Sequence, residues 1–292
     1  DGPLYSGDLT KFLPEVFTYG DDWLVGKPFT VNELEKMSAV GITDFLSQRI
    51  VVPDEWDKTN FLKISYVITE FDKSKTSLEF YSKLKNEIYS QNYPTVSEYF
   101  ELEAQGIYGD NIELEKSSQY FVTDCIGQIT NLYKENESAK LTCVKDNYLV
   151  MVMVTWKTGI YNTSFISGSP ESAVYDYAEI MVNNIDNNLH PNPNVSFPRD
   201  AQYVAFQYSK EKINDNELLS YFQKSIDEGK IKFPTGSIVI EKNSKRLSYV
   251  PDIYRISIIH WGTGTLTDAQ FANTMINLVE NGYLTIPGFD SS

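Results

Sequence analysis

The last third of the chain contains the same unit twice. With an offset of 53 residues and no gap, residues 197–234 run in register with residues 250–287, so that Pro198, Asp215, Gly229 and Pro234 fall on Pro251, Asp268, Gly282 and Pro287. The matches carry physical meaning. Asn214 with Glu217, and Thr267 with Gln270, have the spacing of an N-cap residue and its N3 partner, which predicts a helix starting at each place. Asp215 and Asp268 then lie in the first turn, where a carboxylate complements the helix dipole, and Gly229 and Gly282 lie where a left-handed residue closes a helix. Between these limits Leu218, Phe222 and Ile226 match Phe271, Met275 and Val279, one apolar stripe per helix. Ile231 and Phe233, matched by Leu284 and Ile286, alternate ahead of the closing proline. Two units that each expose an apolar face should pack on one another or on the rest of the chain.

The preceding residues, 8–189, read as one α+β domain. Residues 63–71 alternate, with Ile64, Tyr66 and Ile68 on one face, as in a half-buried strand. Thr76 and Glu79 have capping-box spacing, and Leu78, Tyr81, Leu84 and Ile88 recur at helical intervals until Asn92-Tyr93-Pro94. Residues 148–156 are apolar almost without a break, as suits a central strand covered on both faces. Ser169-Pro170 offers an N-cap with proline at the first helical position, followed by the stripe Val174, Ala178, Met181, Ile185. Strands joined by hairpins, with helices at the two ends of the series, predict an antiparallel sheet with packed helices. Residues 190–198, with three prolines and no periodicity, read as a linker to the mainly helical duplicated region, 199–292.

The two cysteines flank a polar run, Lys134 to Ser138, that has the character of a hairpin turn. Direct opposition of Cys125 and Cys143 centres that turn on Lys134, slightly early, so a disulfide requires an early turn or a bulge. Such a bridge implies an oxidising compartment; the alternative is a pair of buried thiols. Asn136, Asn162 and Asn194 head glycosylation sequons, although about three such matches are expected by chance in a chain so rich in Asn, Ser and Thr. The chain carries 25 basic and 40 acidic residues, a net charge of −15, which repels a phosphate backbone and argues against nucleic acid as a partner. No stretch approaches the roughly 20 apolar residues that cross a bilayer. A start at Asp1 without Met is expected of a mature chain after signal-peptide removal or of a trimmed one.

The second unit has a further likeness. Val250-Pro-Asp-Ile-Tyr254, His260-Trp261, Gly264, Leu266-Thr-Asp268, Phe271, Leu278, Gly282 and Ile286-Pro287 resemble a short module repeated in exported proteins of ammonia-oxidising archaea. The first unit departs from it, with Tyr208 in place of Trp261 and Glu211 in place of Gly264. The resemblance covers the C-terminal third and implies export and an envelope setting, without a catalytic residue. The first domain is loosely similar to small exported PsbP-like α+β domains.

No residue pattern supplies a catalytic set. His190 lies in the proline-rich linker, and His260 adjoins Trp261, where helix packing accounts for it. Two cysteines and two histidines at unrelated spacings do not make a zinc site, and Met151 and Met153, on one strand face, read as core rather than copper ligands. Carboxylates around Asp21-Asp22 and from Asp110 to Glu113 are the candidates for calcium; neither has EF-hand spacing. No cofactor is expected. The reading that follows is an exported, non-enzymatic protein of the cell surface or exterior, acting by self-association or by binding an envelope protein. The alternatives are an extracellular receptor with an aromatic groove near Trp23, Trp56 and Trp156, and, behind it, a carboxylate-based hydrolase.

Overall fold

The computed structural model describes residues 9–28, 41–53, 61–90, 124–132, 136–157, 170–236, 238 and 249–288. The fold is α+β, and it divides into two compact units, residues 1–15 with 19–182 and residues 16–18 with 183–292.

The first unit is built on a six-stranded antiparallel sheet. Its strands are β1 (Leu24–Val25), β2 (Ile42–Pro53), β3 (Phe61–Phe71), β4 (Asp124–Leu132), β5 (Asn136–Lys145) and β6 (Tyr148–Lys157), in the spatial order β1-β2-β3-β6-β5-β4. The β3–β6 pair is central, so β3 is buried on both faces rather than half-buried: Ile64, Tyr66 and Ile68 are inaccessible on one side, and Val67, Thr69 and Phe71 on the other. The apolar run of β6 has the same cause.

Helix α1 (Ser74–Ser90) covers one face through Tyr81 and Leu84, which pack with Phe45, Val67, Phe71, Leu149 and Met151. It begins two residues before Thr76. That hydroxyl donates to Asp72 Oδ1 at 2.7 Å instead of capping the helix. Leu78 is exposed; Ser77 faces inward in its place, its hydroxyl 2.6 Å from the Asp146 carbonyl. Helix α2 (Pro170–Leu189) packs on the other face, with Val174, Ala178, Met181 and Ile185 all fully buried. Ile180 and Val182 are buried too, as are the polar Glu179 and Asn183, so α2 is buried nearly all round along this stretch.

The second unit contains α3 (Arg199–Ser209), α4 (Asp215–Asp227), α5 (Asp252–Thr263) and α6 (Asp268–Glu280). Both α4 and α6 open on complete capping boxes, Asn214 with Glu217 and Thr267 with Gln270. The 53-residue offset extends to the backbone. Lys212 N–H donates to the Gln207 carbonyl at 3.0 Å and Thr265 N–H to that of His260 at 2.8 Å; Lys230 N–H donates to Ser225 at 2.9 Å and Tyr283 N–H to Leu278 at 2.8 Å. Gly229 (φ 68°) and Gly282 (φ 77°) are left-handed, and the exposed Pro234 and Pro287 follow the apolar exit residues.

Helices α3 and α5 pack against each other at close range. A Cβ on Gly262 would lie 2.7 Å from the backbone of Ala205 and Phe206, so the approach needs a residue without a side chain there. The outer helices complete a core around Trp261, Phe222 and Phe271. Phe197, inside the stretch read as linker, joins it at 5.2 Å from both Trp261 and Phe271. The division between the units falls inside α2, after Val182. Asn183 donates to the Gly264 carbonyl at 3.1 Å, and Asn187 accepts from the Asp268 N–H at 3.4 Å, which ties the end of α2 to the helical unit.

Two non-glycine positions among the described residues are left-handed, Asp146 (φ 52°), a residue type that tolerates that region, and Glu211. Glu211 ends α3 in the left-handed region (φ 57°) at the place where Gly264 (φ 89°) ends α5. A side chain there costs about 1 kcal/mol or more. Glu211→Gly is therefore expected to stabilise the helical unit by roughly 0.5–1 kcal/mol once the freer unfolded chain is counted, and Gly264→Ala to destabilise it. Urea unfolding of the two variants checks both signs; a lower midpoint for Glu211→Gly would contradict the argument.

Candidate functional site

Three places in the described structure carry polar or apolar groups in arrangements that packing alone does not require. The first is at the start of α4. Asp215 does more than complement the helix dipole: its Oδ1 accepts from the Tyr208 hydroxyl at 2.7 Å and its Oδ2 from the Val250 N–H at 2.8 Å. Arg255 Nη2 approaches the same carboxylate at 3.2 and 3.3 Å, and its guanidinium lies 5.5 Å from the centre of the Tyr208 ring. Burial, with the Asp215 bond behind it, pushes the Tyr208 hydroxyl well above its ordinary value, so it donates and does not ionise. The second copy repeats the device, with Trp261 Nε1 donating to Asp268 Oδ1 at 2.9 Å. The signal was present in the sequence as an aromatic seven residues ahead of each aspartate.

An open cleft of about 580 Å³ adjoins Asp215, lined also by Glu211, Lys212, Glu217 and Arg255. Three carboxylates face two cations, and Arg255 is already engaged by Asp215. The cleft therefore lacks the surplus positive charge that an anionic ligand would need.

The second place is the first half of α5. Ile253 is 70% exposed, Ile256 54% and Tyr249, just before the helix, 54%. Residues at this spacing share a helix face. The fold does not demand an apolar group at Ile253 or Tyr249, because the matching positions in the first copy are Asp200 and Ser196; Ile256 is matched by Tyr203.

The third place lies inside the sheet unit. Tyr66 on β3 touches Tyr177 of α2 at 5.6 Å between ring centres, and Tyr19 stacks on Trp23 at 5.6 Å beside them. Gln48, the register partner of Tyr66, donates its amide to the Gly26 carbonyl at 3.0 Å. Gln48 Oε1 and Tyr177 Oη are buried with no hydrogen-bond partner among the described residues. Burial holds the Tyr66 and Tyr177 hydroxyls neutral. Trp23 and Trp156 are both buried, so neither presents a ring to a surface groove; Trp56 lies outside the described residues.

Two further titratable groups are buried, and they are not brought together. Lys140, pushed down to about 8 by burial, lies on the α1-covered side of β5, in line with Val144. Glu179, pushed up to about 7 by burial and then by Asp176, lies on α2, which packs on the opposite face.

The remaining residues singled out in the sequence are dispersed. Cys125 and Cys143 form a disulfide and are direct partners in an unbroken β4–β5 register running to Leu132↔Asn136. The described register, from Asp124↔Val144 to Leu132↔Asn136, holds one continuous pairing without a bulge. His190 is exposed at the end of α2, and His260 Nδ1 meets Thr265 Oγ1 at 2.8 Å in a half-buried setting that lowers its basicity. Met151 is core, and Met153 is half-buried on the same strand. Asp21 and Asp22 are exposed in a turn, and residues 110–113 lie outside the described residues. Among the described residues, no three His, Cys, Asp or Glu side chains are grouped to hold a metal, and no helix is long and apolar enough to cross a membrane. Asn136 opens β5, Asn194 lies in an exposed turn, and Asn162 is outside the described residues.

No protein-family model matches the chain, and no curated protein does. Among solved structures, the extracellular domain of PknH from Mycobacterium tuberculosis is similar at 10% identity and a TM-score of 0.38, over 64% of this chain and 98% of that one.

Proposed function

We propose that this is an exported protein that acts outside the cytoplasm, at the cell surface or beyond it, by binding and assembly rather than turnover. The disulfide between β4 and β5 supports the oxidising setting, and the likeness of the second helical copy to a module of exported archaeal proteins supports the envelope context. In this reading the two helical copies are a duplication closed on itself through α3 and α5, and their free surface supplies the contact.

The observation that carries the assembly reading is the apolar face of Tyr249, Ile253 and Ile256 on a chain of net charge −15. A polar residue at Ile253 is compatible with the fold, as Asp200 shows at the equivalent place, so the exposed apolar atoms serve something other than folding. Copies meeting through this face gain apolar burial against mutual repulsion. Association should therefore strengthen with salt, because screening weakens the repulsion while leaving the apolar contact intact.

Size-exclusion with light scattering, over a range of concentration and salt and with and without calcium, tests this. The expected result is a mass that rises with concentration and salt, and that returns to the monomer in Ile253→Asp/Ile256→Asp with an unchanged circular dichroism spectrum. A strict monomer under all conditions, without affinity for envelope material, would count against the proposal.

A further inference from the structure

We infer that Asn194 is a site of asparagine-linked glycosylation, an inference that rests on the export reading. The acceptor triplet is Asn194-Val195-Ser196, and the middle residue is not proline. Transfer requires the asparagine carboxamide to be reachable and the hydroxyl two residues on to be readable, and it requires space for the attached sugar.

The local chain meets all three conditions. Val195 and Phe197 pack against the helical core, while Asn194, in the turn just ahead of them, and Ser196, between them, are both exposed. The presentation is fixed from both ends. Asn194 N–H donates to Asn192 Oδ1 at 3.0 Å, and Val195 N–H donates to the Asn192 carbonyl at 3.0 Å. Ser196 pairs through its backbone with Lys232, at 2.9 and 2.8 Å, which leaves its hydroxyl clear of the ladder.

The Asn136 triplet is presented differently. Its backbone is paired on both sides, with Leu132 and Lys157, and the hydroxyl-bearing residue, Ser138, is only 4% exposed. A transferase that must read that hydroxyl cannot do so in the folded hairpin.

The chemistry is a substitution. The Asn194 amide nitrogen attacks C1 of an oligosaccharide carried on a lipid phosphate or pyrophosphate; the C1–O bond to phosphate breaks, the lipid phosphate leaves, and the nitrogen loses one proton. Nothing is oxidised or reduced.

The test is to express the full chain behind a signal peptide in a cell with an asparagine-glycosylation pathway and to map the exported protein by mass spectrometry. The expected result is a glycan on the peptide containing Asn194, lost completely in Asn194→Gln and in Ser196→Ala, retained in Ser196→Thr, and unaffected by Asn136→Gln. An exported chain with Asn194 unmodified, or with the glycan on Asn136 in its place, overturns the inference and leaves the export reading standing. A chain that reaches no compartment outside the cytoplasm overturns both.

Discussion

Replacing Trp261 by alanine is expected to cost the helical unit about 3–5 kcal/mol, the range for removing a large buried aromatic. The side chain is 1% exposed, stacks on Phe271 with ring centres 4.1 Å apart and planes 3° from parallel, and meets Phe197 at 5.2 Å. Its indole N–H also serves Asp268, a carboxyl pushed up by burial and pulled back by that bond. Trp261→Phe separates the two roles. It keeps a ring in the stack but leaves the carboxylate short of a donor, an expected loss of roughly 1–2 kcal/mol. Tyr208→Phe, the same change in the first copy, should cost less, because Asp215 keeps the Val250 N–H and Arg255. Urea unfolding followed at the far-ultraviolet helix band gives all three values. Equal losses for Trp261→Phe and Trp261→Ala would show that the bond, not the packing, dominates.

The helical unit was the more legible half. Caps, stripes and closing glycines act within a few residues of one another, and those are the distances over which a sequence pattern and its cause coincide. What lay hidden there was tertiary: the Tyr208–Asp215 and Trp261–Asp268 bonds, the recruitment of Phe197 to the core, and Phe17, whose ring packs 5.4 Å from both Tyr203 and Phe206. Nothing near Phe17 in the chain announces that it belongs with residues almost two hundred positions away.

In the sheet unit the antiparallel α+β class was readable from hairpins and flanking helices, but β2 was not. Its inward face includes Gln48 among Leu46, Ile50 and Val52, and the register slips between Ile42 and Asp44, so alternation is interrupted twice. The same polar insertion hid the buried cluster of Gln48, Tyr66 and Tyr177, since a glutamine in a strand reads as solvent-facing until its partner across the ladder is known. Leu78 misled in the opposite sense. Helical spacing put it on the buried stripe, whereas Ser77 occupies the inner position because its hydroxyl can satisfy the Asp146 carbonyl. The apolar face on α5 needed the structure, because exposure of Ile253 and Ile256 is a property of what fails to cover them.

Breaking the disulfide should produce the largest change in the sheet unit. The bridge spans 18 positions, and closing a loop of that size stabilises by about 3 kcal/mol on the chain-entropy estimate. Its position adds a structural consequence, because β4 is the end strand in the order β1-β2-β3-β6-β5-β4 and, among the described residues, pairs with β5 alone. Cys143 is inaccessible, so alanine rather than serine is the replacement that avoids burying a new hydroxyl. Cys125→Ala/Cys143→Ala is expected to lower the urea midpoint read from tryptophan fluorescence, with Trp23 and Trp156 reporting from the sheet unit. Reducing the wild-type chain should reproduce the loss, and two titratable thiols should appear with it. An unchanged midpoint after complete reduction would remove the energetic role of the bridge. If the loss is as large as expected, it is a substantial share of the 5–15 kcal/mol that typically separates a folded domain from its unfolded chain. A sheet that depends on the bridge to that extent keeps its full margin only where thiols stay oxidised, which links the Cys125–Cys143 pairing directly to the compartment in which the protein is proposed to work.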